Sequence, residues 1–580
     1  MKRSVFLAIF FAIGFLMTMA QDFSRYVDPR IGSEGLGRTF PGPCMPYGMA
    51  KPGPDAVSMP NAGWAPMPEP LKGFSQMHVS GTGGGQKYGN ILIQPFLDAG
   101  EIIQKRVDEE IALGYYACTF ENGIRTEITA SERCAFYRLD YGRKQKGKLL
   151  IDVATFLGID TIPDKRETQQ YVDSYVTYDG KYAVSGWSTV RGGWNNGGPY
   201  TVYFYLQSDV PLSNCDALLS DSDAPLYDKV KESKTRLDVA FSKSTVNLKI
   251  GISHISIEQA RKNIPACGFD TQLKNVRKTW NGKLGKIEIA GTEKQKRMFY
   301  TAIYHTMLMP VHKSGENPHF SATPYYDDYY AIWDTYRTSM PLLTLIEEPQ
   351  QRDMVNSLLN IYKHDGYMPD ARSGNWNGRT QGGSNADIVI ADAFAKEMKG
   401  IDYELALKAM IKDAEVPPTD DDGGAMSSWL VFNMLGFYPI AGQNLYIVGS
   451  PMIPEYTIHL SNGKDLKVVR EGEQWKQMFI THDVLINGGK LVLPDFKTEE
   501  KGVDKTQKLL IMKEKEKSTV LAQPVDKYLI TIPAQYVARF IVNRQYRNWE
   551  VGVDSTSMAD TLILKCNQSI SLSDSSQGGG

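Results

Sequence analysis

The chain has 580 residues, 42% of them hydrophobic and 22% charged, the make-up of an ordinary globular protein of several domains. Its net charge of −2 leaves no electrostatic footprint for a nucleic acid or an anionic membrane. The six cysteines, at 44, 118, 134, 215, 267 and 566, show no CxxC spacing and no Cys/His cluster, which excludes the usual zinc frameworks.

Residues 1–20 combine Lys2 and Arg3, an apolar run from Val5 to Met17, and the small Ala20. That pattern predicts a secretory signal peptide cut after Ala20. The run is shorter than the about 20 residues that cross a bilayer comfortably. The mature chain is therefore expected to be exported, secreted or periplasmic, with no stable membrane insertion.

From 21 to 285 the signal is short strands rich in β-branched and aromatic residues, among them Asn90–Phe96, Tyr115–Glu121, Arg125–Ala130, Ala183–Ser188 and Tyr200–Leu206. Turn triplets such as Glu121-Asn122-Gly123 and Tyr178-Asp179-Gly180 separate them, and the whole predicts a large β-sandwich domain. Cys118 and Cys134 could face each other across a hairpin, and in an exported protein they could form a disulfide. The 31 Tyr, 22 Phe and 9 Trp supply rings that either fill cores or stack on the C–H faces of sugars.

Near Gly291 the period changes. Met298, Ala302, Ile303 and Met307 fall at helical spacing, and further helices are predicted at Ser339–Glu347, Pro349–Lys363, Asn385–Met398, Tyr403–Asp413 and Ala425–Gly436. Residues 290–440 thus read as a helical domain. Strands return over 441–500 as a segment packed on it, a further β-rich region covers 501–572, and the Ser/Gly tail 573–580 is expected to be disordered.

Four clusters carry chemistry. The first is His78-Val79-Ser80-Gly81-Thr82-Gly83-Gly84-Gly85, in which His78 either holds a hydroxyl or is a satisfied core histidine. The second, Trp333-Asp334-Thr335-Tyr336-Arg337, places a ring, an acceptor and a planar donor fork within five residues. In a helix Asp334 and Arg337 could equally form an i, i+3 salt bridge. The third runs from Gly382 to Asp387 with Asp392 following, and Asp387 is the better site candidate because it adjoins the Gly-rich turn. The fourth is Asp420-Asp421-Asp422-Gly423-Gly424 before a helix. One Asp suffices to cap a helix, whereas three adjacent carboxylates repel one another unless a cation or a reaction uses them. Asp420 and Asp422 point the same way in extended chain, so one can take a proton from water while the other orients it.

Together with Thr39-Phe40-Pro41-Gly42, Pro46-Tyr47-Gly48-Met49, Asp413–Pro418 and Gly436-Phe437-Tyr438-Pro439, the first, second and fourth clusters resemble, in order, the motifs of glycoside hydrolase family 92. The resemblance covers about residues 25–495. It implies a β-sandwich followed by an (α/α)6 barrel, and a calcium-dependent exo-α-mannosidase that acts on mannose-containing glycans with inversion. It also implies that Asp420 and Asp422 are the base-side carboxylates and that Trp333, Asp334 and Arg337 contact mannose. His78 and Asp387 stand beside these as candidate substrate contacts from their own settings in the sequence. The calcium ligands are not assigned by the resemblance.

One part of the pattern is missing. Inversion needs two carboxyls, about 6.5–9.5 Å apart, one to protonate the leaving oxygen and one to activate water. The family's acid is a Glu in a Gly-Asn-Glu-Pro-Ser-His-like segment, and here Asp413–Pro418 runs almost directly into Asp420. Six predicted helices also fall short of the twelve in an (α/α)6 barrel, so the helical domain is expected to be incomplete. Glu397 and Glu415 are the nearest stand-ins for the acid. The sequence therefore predicts an exported glycosidase with impaired turnover, or alternatively a glycan-binding protein or truncated remnant of such an enzyme.

Overall fold

The computed structural model of the chain describes residues 21–35, 37–83, 85–97, 102–142, 147–158, 168–216, 235–378, 385–414, 428, 431–432, 434–472, 479–495, 527–531 and 561–565. The signal-peptide segment, Glu415, the cluster Asp420–Asp422 and the 573–580 tail lie outside these residues.

The strand-rich half forms two antiparallel sheets. One runs in the order Gly53–Ala56, Leu71–Ser75, Leu92–Phe96, Lys148–Asp152, Arg236–Phe241, Leu212–Asp216. The other has eight strands, ordered Arg106–Ala112, Tyr115–Phe120, Arg125–Ala130, Cys134–Asp140, Thr245–Ser253, Tyr200–Ser208, Ala183–Gly192, Gln169–Tyr178. Alternation sets their inner faces: along Tyr200–Ser208 the side chains of Val202, Phe204 and Leu206 are fully buried, as period-2 patterning requires.

Two corrections apply to this half. The expected Cys118–Cys134 disulfide is absent, and both cysteines are free thiols. Cys118 pairs across to Thr126, so the strand Arg125–Ala130 lies between the two. Cys118 also belongs to the main core, whereas Cys134 packs with Phe269 in a separate cluster. The second correction is a helix, Phe269–Leu284, inside the region read as all strand. Its Phe269, Gln272, Val276, Trp280 and Leu284 are buried at helical spacing, and the Trp280 indole donates to the Cys44 carbonyl at 2.7 Å.

The helical region begins with Glu293–Thr306, opened by a capping box in which Thr292 and Gln295 exchange hydrogen bonds. Short helix Ile332–Thr335 leads to Ser339–Ile346, buried along its whole length, and then to Glu348–Asp365, Ala386–Ala395 and Tyr403–Ala414. The predicted helices are therefore found within a residue or three of their expected ends, except Ala425–Gly436, of which residues 428, 431, 432, 434 and 435 are described as helical and Gly436 as a turn. Strand Ile287–Ala290, at the expected domain junction, pairs with Glu455–His459 of the C-terminal segment in a four-stranded sheet.

The chain divides into two units, 1–496 and 497–580. In the second, Lys527–Thr531 and Thr561–Lys565 form an antiparallel pair. Among the described residues, no helix is long and apolar enough to cross a membrane.

Candidate active site

One hydrogen bond joins residues that follow the second and fourth clusters in the sequence. The hydroxyl of Thr338, one residue past Arg337, hydrogen-bonds the hydroxyl of Ser428, the described residue that follows Asp420–Asp422 most closely. Trp333 sits in the short helix Ile332–Thr335, with its ring buried and its indole N–H without an acceptor among the described residues. Asp334 and Arg337 are half-buried, and the Arg337 guanidinium lies 4.9 Å over the ring of Tyr336.

Trp194, which the sequence reading passed over, packs against this segment. Its ring lies 5.8 Å from that of Trp333 at 30°, and 5.5 Å from Tyr330 edge-on. It is 1% exposed, and its indole N–H also has no acceptor among the described residues. The one signal for it was local: Arg191-Gly192-Gly193-Trp194-Asn195-Asn196-Gly197-Gly198, a tryptophan between pairs of turn residues. Asn195 fixes that loop, donating to the carbonyls of Ser373 and Trp376 at 2.8 and 3.0 Å and accepting from Lys87 Nζ at 2.7 Å. Gly193 takes φ +81°, a conformation that a side chain would strain.

Beside the two rings lies a buried ionic junction. Lys313 Nζ is 2.8 Å from Asp327 and 2.9 Å from Asp328, and it also donates to the Tyr88 hydroxyl at 3.0 Å. Tyr88 donates in turn to Asp328 at 2.5 Å, as does Ser373 at 2.7 Å. Arg372 pairs with Asp327 at 3.1 Å and with Asp365 at 2.8 Å. Burial opposes each charge, but the partners win: Lys313 is held above the usual lysine range, and Asp327 well below the carboxylate range by Lys313 and Arg372. Lys87, at the edge of the junction, shows the opposite balance, since burial pulls it down to about 7 despite Asp328 and Asp327.

The other sequence candidates fall elsewhere. The ring of His78 is fully committed: Nδ1 is 2.7 Å from the Lys51 carbonyl and Nε2 is 2.8 Å from Asp55, with Phe40 stacked on it at 4.9 Å. Gly63 makes room for that pair, since a Cβ there would lie 2.6 Å from Nε2. The ring thus has the surroundings of a satisfied core histidine. Asp387 lies half-buried in the first turn of Ala386–Ala395, while Asp392 is buried and bound by Lys396 at 2.7 Å. Glu397 is a surface side chain beside Lys399. Glu316 is the carboxylate in a Gly-Glu-Asn-Pro run, but it accepts from Ser253, the His254 amide and Asn263, which uses it structurally. Among the described residues no group of three or more His, Cys, Asp or Glu is placed to hold a metal ion, and the adjacent pair Asp327–Asp328 is already neutralised by Lys313 and Arg372. Those residues do not fit a calcium cage.

The sequence matches the model of the Glycosyl hydrolase family 92 N-terminal domain over residues 26–253, and that of the Glycosyl hydrolase family 92 catalytic domain over 257–420 and 417–501. The chain belongs to family 92. The two catalytic-domain matches meet at 417–420, where the acid segment is missing from the sequence. Among proteins similar to this family 92 chain is an "Uncharacterized secreted glycosidase" of Arthroderma benhamiae, 29% identical over 458 residues, a span of 72% of this chain but 55% of that protein. Similar solved structures include a family GH92 alpha-mannosidase from Bacteroides thetaiotaomicron, with TM-score 0.70 and 20% identity over 82% of this chain and 95% of that one. The same mannosidase in complex with mannoimidazole also matches, at TM-score 0.70 and 19% identity over 82% and 94%. The inverting mannosidase of Bacteroides thetaiotaomicron VPI-5482 matches at TM-score 0.69 and 19% identity over 82% and 96%. At these identities the likeness is one of fold.

Proposed function

We propose that this family 92 glycosidase is exported and recognises terminal α-mannose of glycans at the Trp333–Arg337 segment, with Asp420 and Asp422 on the base side of inverting hydrolysis. The observation that carries the reading is the hydrogen bond between Thr338 and Ser428, which joins the end of the proposed sugar-contacting segment to the chain that follows the Asp cluster. In this scheme Trp333 stacks on the sugar, Asp334 and Arg337 bind its hydroxyls, and one Asp takes the proton of the attacking water. Calcium belongs to the proposal by family resemblance alone, with no ligand set assigned to it.

The proposal includes impaired turnover: among the described residues neither Glu316 nor Glu397 is placed to protonate a leaving group, and Glu415 lies outside them. The same fact favours a second reading, a mannose-binding protein without hydrolysis. Purified chain with α-1,2-linked mannobiose, followed by NMR, separates the two. Release of β-mannose, abolished in Asp422→Asn, establishes the inverting hydrolase. Calorimetric binding of mannose without release establishes the binding protein, and loss of that binding with EDTA shows the calcium dependence. No binding under either condition removes the mannose site altogether.

A further inference from the structure

We infer that Trp194 is a substrate-binding residue: its indole N–H, beside that of Trp333, donates to a hydroxyl of the bound mannose unit. The inference rests on the mannose-site reading above and adds to it a residue from the sandwich half of the chain. A buried N–H without an acceptor is rare in folded proteins, because burial removes its water and returns nothing. Here two such donors, with no acceptor among the described residues, belong to rings whose centroids lie 5.8 Å apart and which come from segments 139 residues distant in sequence (333 minus 194). A pyranose presents a ring of hydroxyls, each able to accept a hydrogen bond while donating another.

The loop that carries Trp194 is built for precision. Asn195 makes four hydrogen bonds, to Ser373, Trp376, Lys87 and the Gly197 amide, so the turn cannot drift. The Trp194 backbone amide donates to the Gln86 carbonyl at 3.3 Å, immediately after the Gly-rich first cluster. Tyr330, against the other side of the indole, bonds both backbone groups of Ser80 in that cluster through its hydroxyl. Trp194 therefore stands where the first and second clusters meet. The competing structural account is an N–H aimed at the face of Tyr330, a weak contact that needs no ligand.

The test is calorimetry of the full chain with mannose and with mannoimidazole, for wild type and Trp194→Phe, which keeps a buried benzene ring and removes the indole N–H. We expect roughly tenfold weaker binding in a natively folded variant whose melting temperature is lowered by the smaller ring. With a series of monodeoxy-mannoses, one member binds wild type and variant equally, because it lacks the hydroxyl that Trp194 reaches. Equal affinities of wild type and variant for mannose overturn the inference, as does a uniform loss across the deoxy series, which marks a packing role only. Failure of the wild type to bind either ligand overturns the mannose-site reading itself. Should Trp194→Phe not fold, wild type labelled with 15N-tryptophan decides: saturation with mannoimidazole moves two buried indole N–H signals downfield, and a spectrum in which no buried indole signal moves rejects the assignment.

Discussion

Two buried polar groups adjoin each other in this molecule, and they are built on opposite rules. Around Lys313 the charges of Asp327, Asp328 and Arg372 answer one another, with Tyr88 and Ser373 filling further positions. At Trp194 and Trp333 the donors meet no acceptor among the described residues. The first arrangement locks sandwich residue Tyr88 to the 313–375 stretch. The second leaves hydrogen-bonding capacity in store, which is what a ligand requires.

The comparison breaks first at Lys313. Lys313→Met leaves Asp327 and Asp328 buried beside an incomplete set of cations, and we expect a loss of about 3–5 kcal/mol in urea unfolding. The next effect is acid lability. His254, His305 and His482 are pulled down to about 4, 4 and 3, each chiefly by burial, with Lys313 and Lys396 adding to the first and last. An unfolded histidine titrates near 6.5, so between pH 6.5 and 4 the unfolded chain binds protons that the folded chain refuses. Stability then falls as pH falls through that window. Below it Asp327, whose carboxylate is favoured by the fold, adds a further loss. Urea midpoints from pH 7 to 4 measure the histidine stage, and their continuation below pH 4 measures the Asp327 stage.

On the unsaturated side, Trp333→Phe should weaken mannose binding roughly tenfold in calorimetry while shifting the melting temperature little, the reverse of Lys313→Met. A smaller effect tests the edge of the junction. Lys87 titrates near 7 in the fold against an ordinary 10.5, so the unfolded chain carries the extra proton between those values and stability rises with pH there. Lys87→Met should flatten that rise in urea midpoints taken at pH 7.5 and 9.5. Smallest of all, a reducing agent should leave unfolding unchanged as far as Cys44, Cys118, Cys134 and Cys267 are concerned, since all four are free thiols.

Much of the architecture was legible because it is written locally. Alternation along Tyr200–Ser208 and the 3.6-residue spacing in Glu293–Thr306 survive folding unchanged. The helix Phe269–Leu284 carried the same kind of spacing and was missed because its neighbours on the N-terminal side are strands. The ionic junction has no local signature: Asp327-Asp328 reads as a polar turn, Lys313 is 14 residues before it and Arg372 is 45 after it. His78 illustrates the converse, a conspicuous residue in a conspicuous motif whose two nitrogens are already engaged by Lys51 and Asp55. Trp194 entered the site only through tertiary packing, although its Gly- and Asn-flanked setting marked it as a loop residue held in an unusual place.

The strand Ile287–Ala290 has a consequence for how the chain is made. Its hydrogen-bonding neighbour, Glu455–His459, emerges from the ribosome some 165 residues later, and the parallel pair Asp465–Arg470 with Gly489–Leu493 closes the same sheet later still. The strands from Gly53 to Ser253 can assemble during synthesis, while this sheet must wait for nearly the whole of the first unit. During that interval Ile287 and Ile289, buried in the finished fold, lie without cover. The last 40 residues of the first unit therefore act as a release step, and a chain halted before Glu455 is a substrate for chaperones rather than a smaller working protein.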